Sequence, residues 1–230
     1  MSATGRPERE YQSAQREGAS INAALATGID ALGLELDPVA RGKLGAYVAL
    51  LEKWNRTHNL TAIRDPAQII THHLLDSLSM LPHLPPGTGR RAIDVGSGGG
   101  MPGIPLAVAR PELRMTLLDS NRKKTAFLEQ AAIELPLANV EVVAGRVEDF
   151  APRIAFDAVI SRAYSALGNF VAQTRHLLAP GGQWLAMKGT LPREEIAALP
   201  ASVRVVATPA LRVPGINAER HLVVMEALAI

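Results

Sequence analysis

AIDVGSGGGMPGIPLAV, running from Ala92 to Val108, decides the fold class of this chain. A short β-branched run ends in a cluster of glycines, and an apolar run follows at once. That is the strand–turn–helix unit by which open α/β sheets hold nucleotides. Glycines let the backbone turn sharply and bring a ligand close to the next helix N-terminus. Two registers overlap here. Gly98, Gly100 and Gly103 form G-x-G-x-x-G, a dinucleotide fingerprint. Asp94, Gly96, Gly98 and Gly100 form D-x-G-x-G-x-G, the nucleoside-binding turn of S-adenosylmethionine (SAM) enzymes. The second register starts the turn directly after the strand, gives Gly96 a place and leaves Pro102 outside the motif. Asp94 favours it too, because a carboxylate is unwelcome beside a pyrophosphate but useful near the amino group and sulfonium of SAM.

Downstream of Arg91, short β-branched runs alternate with helical stretches, the pattern of a mostly parallel sheet covered on both faces. The strands are AIDV, RMTLLD, VEVVAG, FDAVIS and QWLAMK, then VRVVATPAL and HLVVMEAL. The last two lie too close for a helical crossover and form an antiparallel hairpin, whose final strand enters the sheet. This predicts a Rossmann-like α/β domain over residues 91–230 with a seven-stranded, mostly parallel sheet. It ends in a strand hairpin rather than a second nucleotide-binding half, which again favours SAM over a nicotinamide-dependent oxidoreductase.

Upstream, residues 19–90 read as a helical cap. Asp37-Pro38 and Asp65-Pro66 are helix starts. Leu44, Tyr47, Val48, Leu51 and Trp54 form one apolar stripe, and Ile69, Ile70, Leu74, Leu78 and Leu81 the next. Residues 1–18 read as a polar tail.

Composition narrows the chemistry. Of 230 residues, 47% are hydrophobic, enough for a sizeable core, and the formal net charge of +2 permits an acidic partner without demanding one. There is no cysteine, which excludes disulfides, thiolate metal sites and a cysteine nucleophile. No metal-ligand signature is present. The first twenty residues lack the apolar centre of a signal peptide, so a soluble, cytoplasmic protein is expected.

Other candidates follow from strand ends. Asp119 closes the second strand about 20 residues beyond the loop, placed to accept hydrogen bonds from ribose hydroxyls. Val147 and Glu148, in GRVEDF, sit where a loop can cover an adenine. The fourth strand ends in Ser161-Arg162-Ala163-Tyr164. Enzymes that methylate exocyclic amines carry an Asn/Asp-Pro-Pro-aromatic there, so Arg162 points instead to contact with an anion.

Taken in order and spacing, LEKWNRTHNLTAIRDP, HLLDS, IDVGSGGGMPGIPLA, LLDS, GRVEDF, FDAVISRA, MKG and ERHLVV closely resemble the RsmG (glucose-inhibited division protein B) family of bacterial 16S ribosomal RNA guanine-N7 methyltransferases. The resemblance runs from Tyr47 to the C-terminus. It implies a Rossmann-like methyltransferase fold, SAM as cofactor and 16S rRNA as partner. Gly96, Met101, Val147, Glu148 and Arg162 would contact SAM, although family members more often carry Leu or Phe where Met101 stands. It also implies that His73, Asp76 and Ser77 form a lip over the SAM pocket; a structural helix-face pair is the alternative, and His72 is read as surface. Another RNA or a small molecule remains the alternative acceptor.

Guanine N7 has an in-plane lone pair and no hydrogen, so a positioning enzyme without a general base suffices. Arg162 and Lys188 are the side chains nearest to a catalytic role. For RNA, Lys188 and Arg220 are expected to touch phosphates, with Arg122, Lys123 and Lys124 or Arg212 as further cations. Base stacking falls to Tyr164 or Phe170.

Overall fold

The computed structural model describes residues 6–228, with side chains from residue 18 onward. Helix α1 (Arg6–Ala31) begins inside the stretch expected to be a tail, and residues 1–5 of that stretch lie outside the described residues. Glu, Arg, Gln and Ala are good helix formers, so this segment winds without the apolar periodicity that would have marked it. Helix α2 (Pro38–His58) starts as expected, with the Asp37 side chain accepting from the Ala40 amide at 2.7 Å.

The next helical stretch starts at Asp65, which accepts from the Ala67 amide. It comprises α3 (Pro66–Ile69), a π-helical segment (Ile70–Leu75) and α4 (Asp76–Leu78). Widening by one residue turns His73 inward together with Ile70, Leu74 and Leu75. A strict α-helical stripe does not anticipate that.

Strands β1 (Arg91–Val95), β2 (Arg114–Asp119), β3 (Val140–Ala144), β4 (Phe156–Arg162), β5 (Leu178–Lys188), β6 (Val203–Ala207) and β7 (His221–Ala227) form one sheet in the order β3-β2-β1-β4-β5-β7-β6. The first five are parallel, and β7 runs antiparallel between β5 and β6. Helices α5 (Gly103–Ala109), α6 (Arg122–Glu134), α7 (Leu167–Thr174) and α8 (Arg193–Ala197) complete the fold.

Both sheet faces are buried, and successive residues alternate between them. Ile93, Val159, Trp184 and Val223 face α7, while Ala92, Ile160, Leu185 and Leu222 face the opposite core. That second core runs without interruption into Tyr47, Leu51, Ile69 and Leu74 of the cap, so the cap is packed on the sheet. The parallel register brings Gly96, Asp119 and Arg162 to one edge, where β1, β2 and β4 end side by side.

Candidate active site

The glycine loop folds back on β2, with the Gly96 and Ser97 amides both donating to the Leu118 carbonyl at 2.8 and 3.1 Å. Gly96 and Gly98 have φ of +73° and +60°, a left-handed conformation that a side chain disfavours. The two differ in surroundings. A Cβ on Gly96 would come within 2.9 Å of the Tyr164 ring, whereas one on Gly98 would meet nothing nearer than 3.8 Å. Gly98 therefore has room where Gly96 has none, and it lines the second cavity described below. Gly100 serves packing instead, since its Cβ would strike Ile104.

Asp119 holds this loop in place. Its carboxylate accepts from the Gly98 amide at 2.9 Å and from the Asn121 amide at 2.8 Å. Each oxygen keeps a further lone pair, so the group can still receive a ligand hydroxyl.

Asp94 corrects the expectation from sequence. It is fully buried, it lines neither cavity described below, and its Oδ2 accepts from the Gly103 amide at 2.9 Å, tying the start of α5 to β1. Its Oδ1 is buried without a partner among the described residues. Burial pushes the carboxyl up to about 6, against the opposing pull of the Gly103 amide and the Arg162 charge.

Two cavities meet at the strand ends. The first, about 370 Å³, is lined by Val95, Leu118, Asp119, Val147, Glu148 and Tyr164, among others. The second, about 530 Å³, lies between the loop and the cap, against Leu60, Thr61, His73, Gly98, Met101 and Met187. Gly96, Arg162 and Ala163 belong to both walls. Ala163 has φ +55°, a left-handed non-glycine residue at the partition. The expected SAM contacts are thus divided. Gly96, Asp119, Val147, Glu148 and Arg162 line the first cavity, and Gly98 and Met101 line the second.

The second cavity carries a hydrogen-bonded network. Asn55 donates to the Ile63 carbonyl and accepts from the Thr61 amide, and Thr61 Oγ1 lies 2.7 Å from His73 Nε2. His73 Nδ1 lies 3.0 Å from the His72 carbonyl and 3.4 Å from Arg162 Nη1. Burial, and then the Arg162 charge, push this imidazole down to about 4, so it is neutral at neutral pH. Arg162 donates to the His72 carbonyl at 3.2 Å and to Asp76 Oδ2 at 3.3 Å, and Arg220 Nε donates to Asp76 Oδ1 at 3.1 Å. His73 and Asp76 therefore reach a cavity wall, and His72, read as surface, joins them. Ser77 does not. It is buried and donates to the His73 carbonyl within its own helical turn.

Lys188 lines the second cavity but is not free for a phosphate. Its ammonium donates to the Ser165 carbonyl at 3.0 Å and to the Glu195 carboxylate oxygens at 2.9 and 3.2 Å, which occupies all three donors. Burial alone would raise the Glu195 carboxyl, but Lys188 and the Leu167 amide outweigh it and hold it below its ordinary value. Phe170 is buried, stacked edge-on against Tyr164, and cannot receive a base. Tyr164 is half-buried in the first cavity. Arg122 and Lys123 are exposed at the start of α6, away from both cavities, whereas Lys124 lines the first. Arg212 is exposed on a separate depression with Leu211 and Ile216.

Two contributors were not legible as site residues. Tyr47, part of an apolar stripe, sends its hydroxyl to the Gly99 carbonyl and so ties the cap to the glycine loop. Ala163 carries no chemical signature, and only its backbone angle marks it.

Comparison with known proteins places this geometry. Residues 41–223 match the family model described as rRNA small subunit methyltransferase G. The ribosomal RNA small subunit methyltransferase G of Aromatoleum aromaticum is 55% identical over 89% of this chain and 98% of its own length. That of Chromobacterium violaceum is 56% identical over 88% of this chain and 96% of its own. Among solved structures, the glycopeptide N-methyltransferase MtfA with S-adenosyl-L-homocysteine matches with a TM-score of 0.57 at 13% identity, over 68% of this chain and 87% of that one. TrmN from Thermus thermophilus matches with 0.53 at 19% identity, over 66% of this chain and 48% of that one. At these identities the likeness establishes the Rossmann-like methyltransferase fold.

Proposed function

We infer, from the premise that this chain belongs to the rRNA small subunit methyltransferase G family, that it transfers a methyl group from SAM to N7 of a guanine in 16S ribosomal RNA. The observation that carries this reading is the pair of cavities sharing one partition. The first suits a nucleoside: apolar walls from Val95, Leu118 and Val147, the Tyr164 ring, and a carboxylate at Asp119 with lone pairs to spare for ribose. The cavity wall at Gly98 and the cation at Arg162 suit the amino-acid end of SAM, the carboxylate of which Arg162 would meet. SAM, when bound, supplies an activated methyl group on a sulfonium centre.

The acceptor base enters the second cavity, across Gly96 and Ala163 from the nucleoside. Guanine N7 offers a lone pair and loses no proton, so the chain's task is to orient the base and exclude water. The wall fits that task. His73, held down to about 4, is too weak a base, and Lys188 is held by Glu195, so neither stands ready to remove a proton. Arg220 lines this cavity and keeps Nη2 without a partner among the described residues, so it remains the cation for an RNA phosphate. None of the described helices is long and apolar enough to cross a membrane. The place of action is the cytoplasm, on 16S rRNA within the small subunit or its precursor.

The test is transfer of tritiated methyl from SAM to 16S rRNA, naked and as assembled small subunits, followed by nucleoside mapping. Label in 7-methylguanosine is the expected outcome. Label in any other nucleoside, or none in either substrate, refutes the reading.

A further inference from the structure

Asp76 is a buried carboxylate with one guanidinium on each oxygen: Arg162 at 3.3 Å and Arg220 at 3.1 Å. Its side chain is 6% exposed, while those of the two arginines are 21% and 24% exposed. The three residues come from three elements, namely the start of α4, the end of β4 and the residue before β7. A buried carboxylate is stable only when paired and hydrogen-bonded, so this arrangement fixes both cations relative to the cap. One negative charge against two positive ones leaves the group with a surplus of one. Both guanidinia line the second cavity, and Arg162 also belongs to the wall of the first.

We propose that Asp76 is a positioning residue for methyl transfer, holding Arg220 at the angle at which it receives the anionic backbone of the acceptor nucleotide, with Arg162, which the His72 carbonyl also holds, bracing the carboxylate from the cofactor side. This rests on the acceptor cavity proposed above. The preceding π-helical turn is part of the device, because it places the His72 carbonyl on the same Arg162 guanidinium. Both oxygens of Asp76 are taken up by the two arginines, so it works on the acceptor through them. It acts by denying the two arginines other rotamers, in a site where the acceptor tolerates little misplacement.

The test compares Asp76→Asn, Arg220→Gln and the double variant with wild type. The readouts are kcat and KM for small-subunit RNA at saturating SAM, SAM affinity by calorimetry, and folded fraction by circular dichroism. Asn keeps the size of Asp and one acceptor, but turns an amide toward one guanidinium. The expected result is a fall in kcat of about 100-fold for Asp76→Asn, the scale of a displacement near 1 Å, with SAM affinity changed less than about threefold. Because Asp76 acts through Arg220, the double variant should be at least about fivefold more active than the product of the single losses predicts. A lowered melting midpoint with kcat unchanged overturns the proposal. So does a loss confined to SAM affinity, or multiplicative losses in the double variant. If wild type methylates no form of the RNA, the proposed function itself falls.

Discussion

Replacing Asp94 by Asn should make the folded protein less sensitive to rising pH, by an amount the structure allows to be worked out. The carboxyl is fully buried, and its native pKa is pushed from the ordinary 3.8 up to about 6. Below 3.8 both native and unfolded chains are protonated at this site, and it costs nothing. As pH rises through the interval, the unfolded chain releases its proton first, so stability falls, and above about 6 the full penalty of about 3 kcal/mol applies. His73 works in the opposite sense. Its native pKa of about 4 lies below the ordinary 6.5, so stability is lost as pH falls through that range. The two slopes oppose one another in wild type, and the substitution removes one of them. Asn can still accept from the Gly103 amide, and its amide nitrogen takes the place of the unpartnered Oδ1, a cost independent of pH. Urea denaturation at pH 4.5 and 7.5, with constant m-value, isolates the effect. The difference in stability between variant and wild type should move by about 2 kcal/mol in the variant's favour between the two values. A difference that stays flat over that range refutes the assignment of a buried, strained carboxylate at Asp94.

Other substitutions probe the site more directly. Gly98→Ala places a methyl group in a left-handed position on the wall of the second cavity, so calorimetry should find SAM binding weakened at least tenfold, with a stability loss of about 1–2 kcal/mol. Wild-type SAM affinity would contradict the cradle. Tyr47→Phe removes the hydroxyl that meets the Gly99 carbonyl and strands a buried acceptor, so the urea midpoint should fall by an amount worth about 1–3 kcal/mol. No shift would mean that this contact does not tie cap to loop. Lys188→Ala breaks the bonds to Ser165 and Glu195 but frees no phosphate ligand, so log RNA affinity against log salt should keep its wild-type slope. A slope reduced by nearly one would restore Lys188 to the RNA surface.

Much of the fold was legible because it is written in local patterns. Strand segments alternate or run β-branched, helix starts carry Asp-Pro, and glycine chemistry marks the turn after β1, each within a few residues. The insertion of β7 between β5 and β6 followed from a connection too short for a crossover. The helix beginning at Arg6 escaped because its residues favour winding without an apolar stripe. The π-helical turn escaped because one added residue shifts His73 inward without altering composition.

For the site, the sequence alone determined that Asp119, Val147, Glu148 and Arg162 would gather at the edge where the glycine loop leaves β1. Those positions are ends of parallel strands or the loops just beyond, and parallel pairing carries such ends to one edge. The disposition of charge belonged to the tertiary structure. Asp76 meets Arg162 from 86 residues away and Arg220 from 144, and Lys188 spends its donors on Ser165 and Glu195. Hydrogen bonds form over about 3 Å in space and are blind to separation along the chain, so a count of charges cannot tell a free cation from a neutralised one. Asp94 makes the same point in reverse: its motif position suggests a ligand contact, and only the tertiary structure, which sets the first residue of α5 beside the end of β1, gives its carboxylate the Gly103 amide.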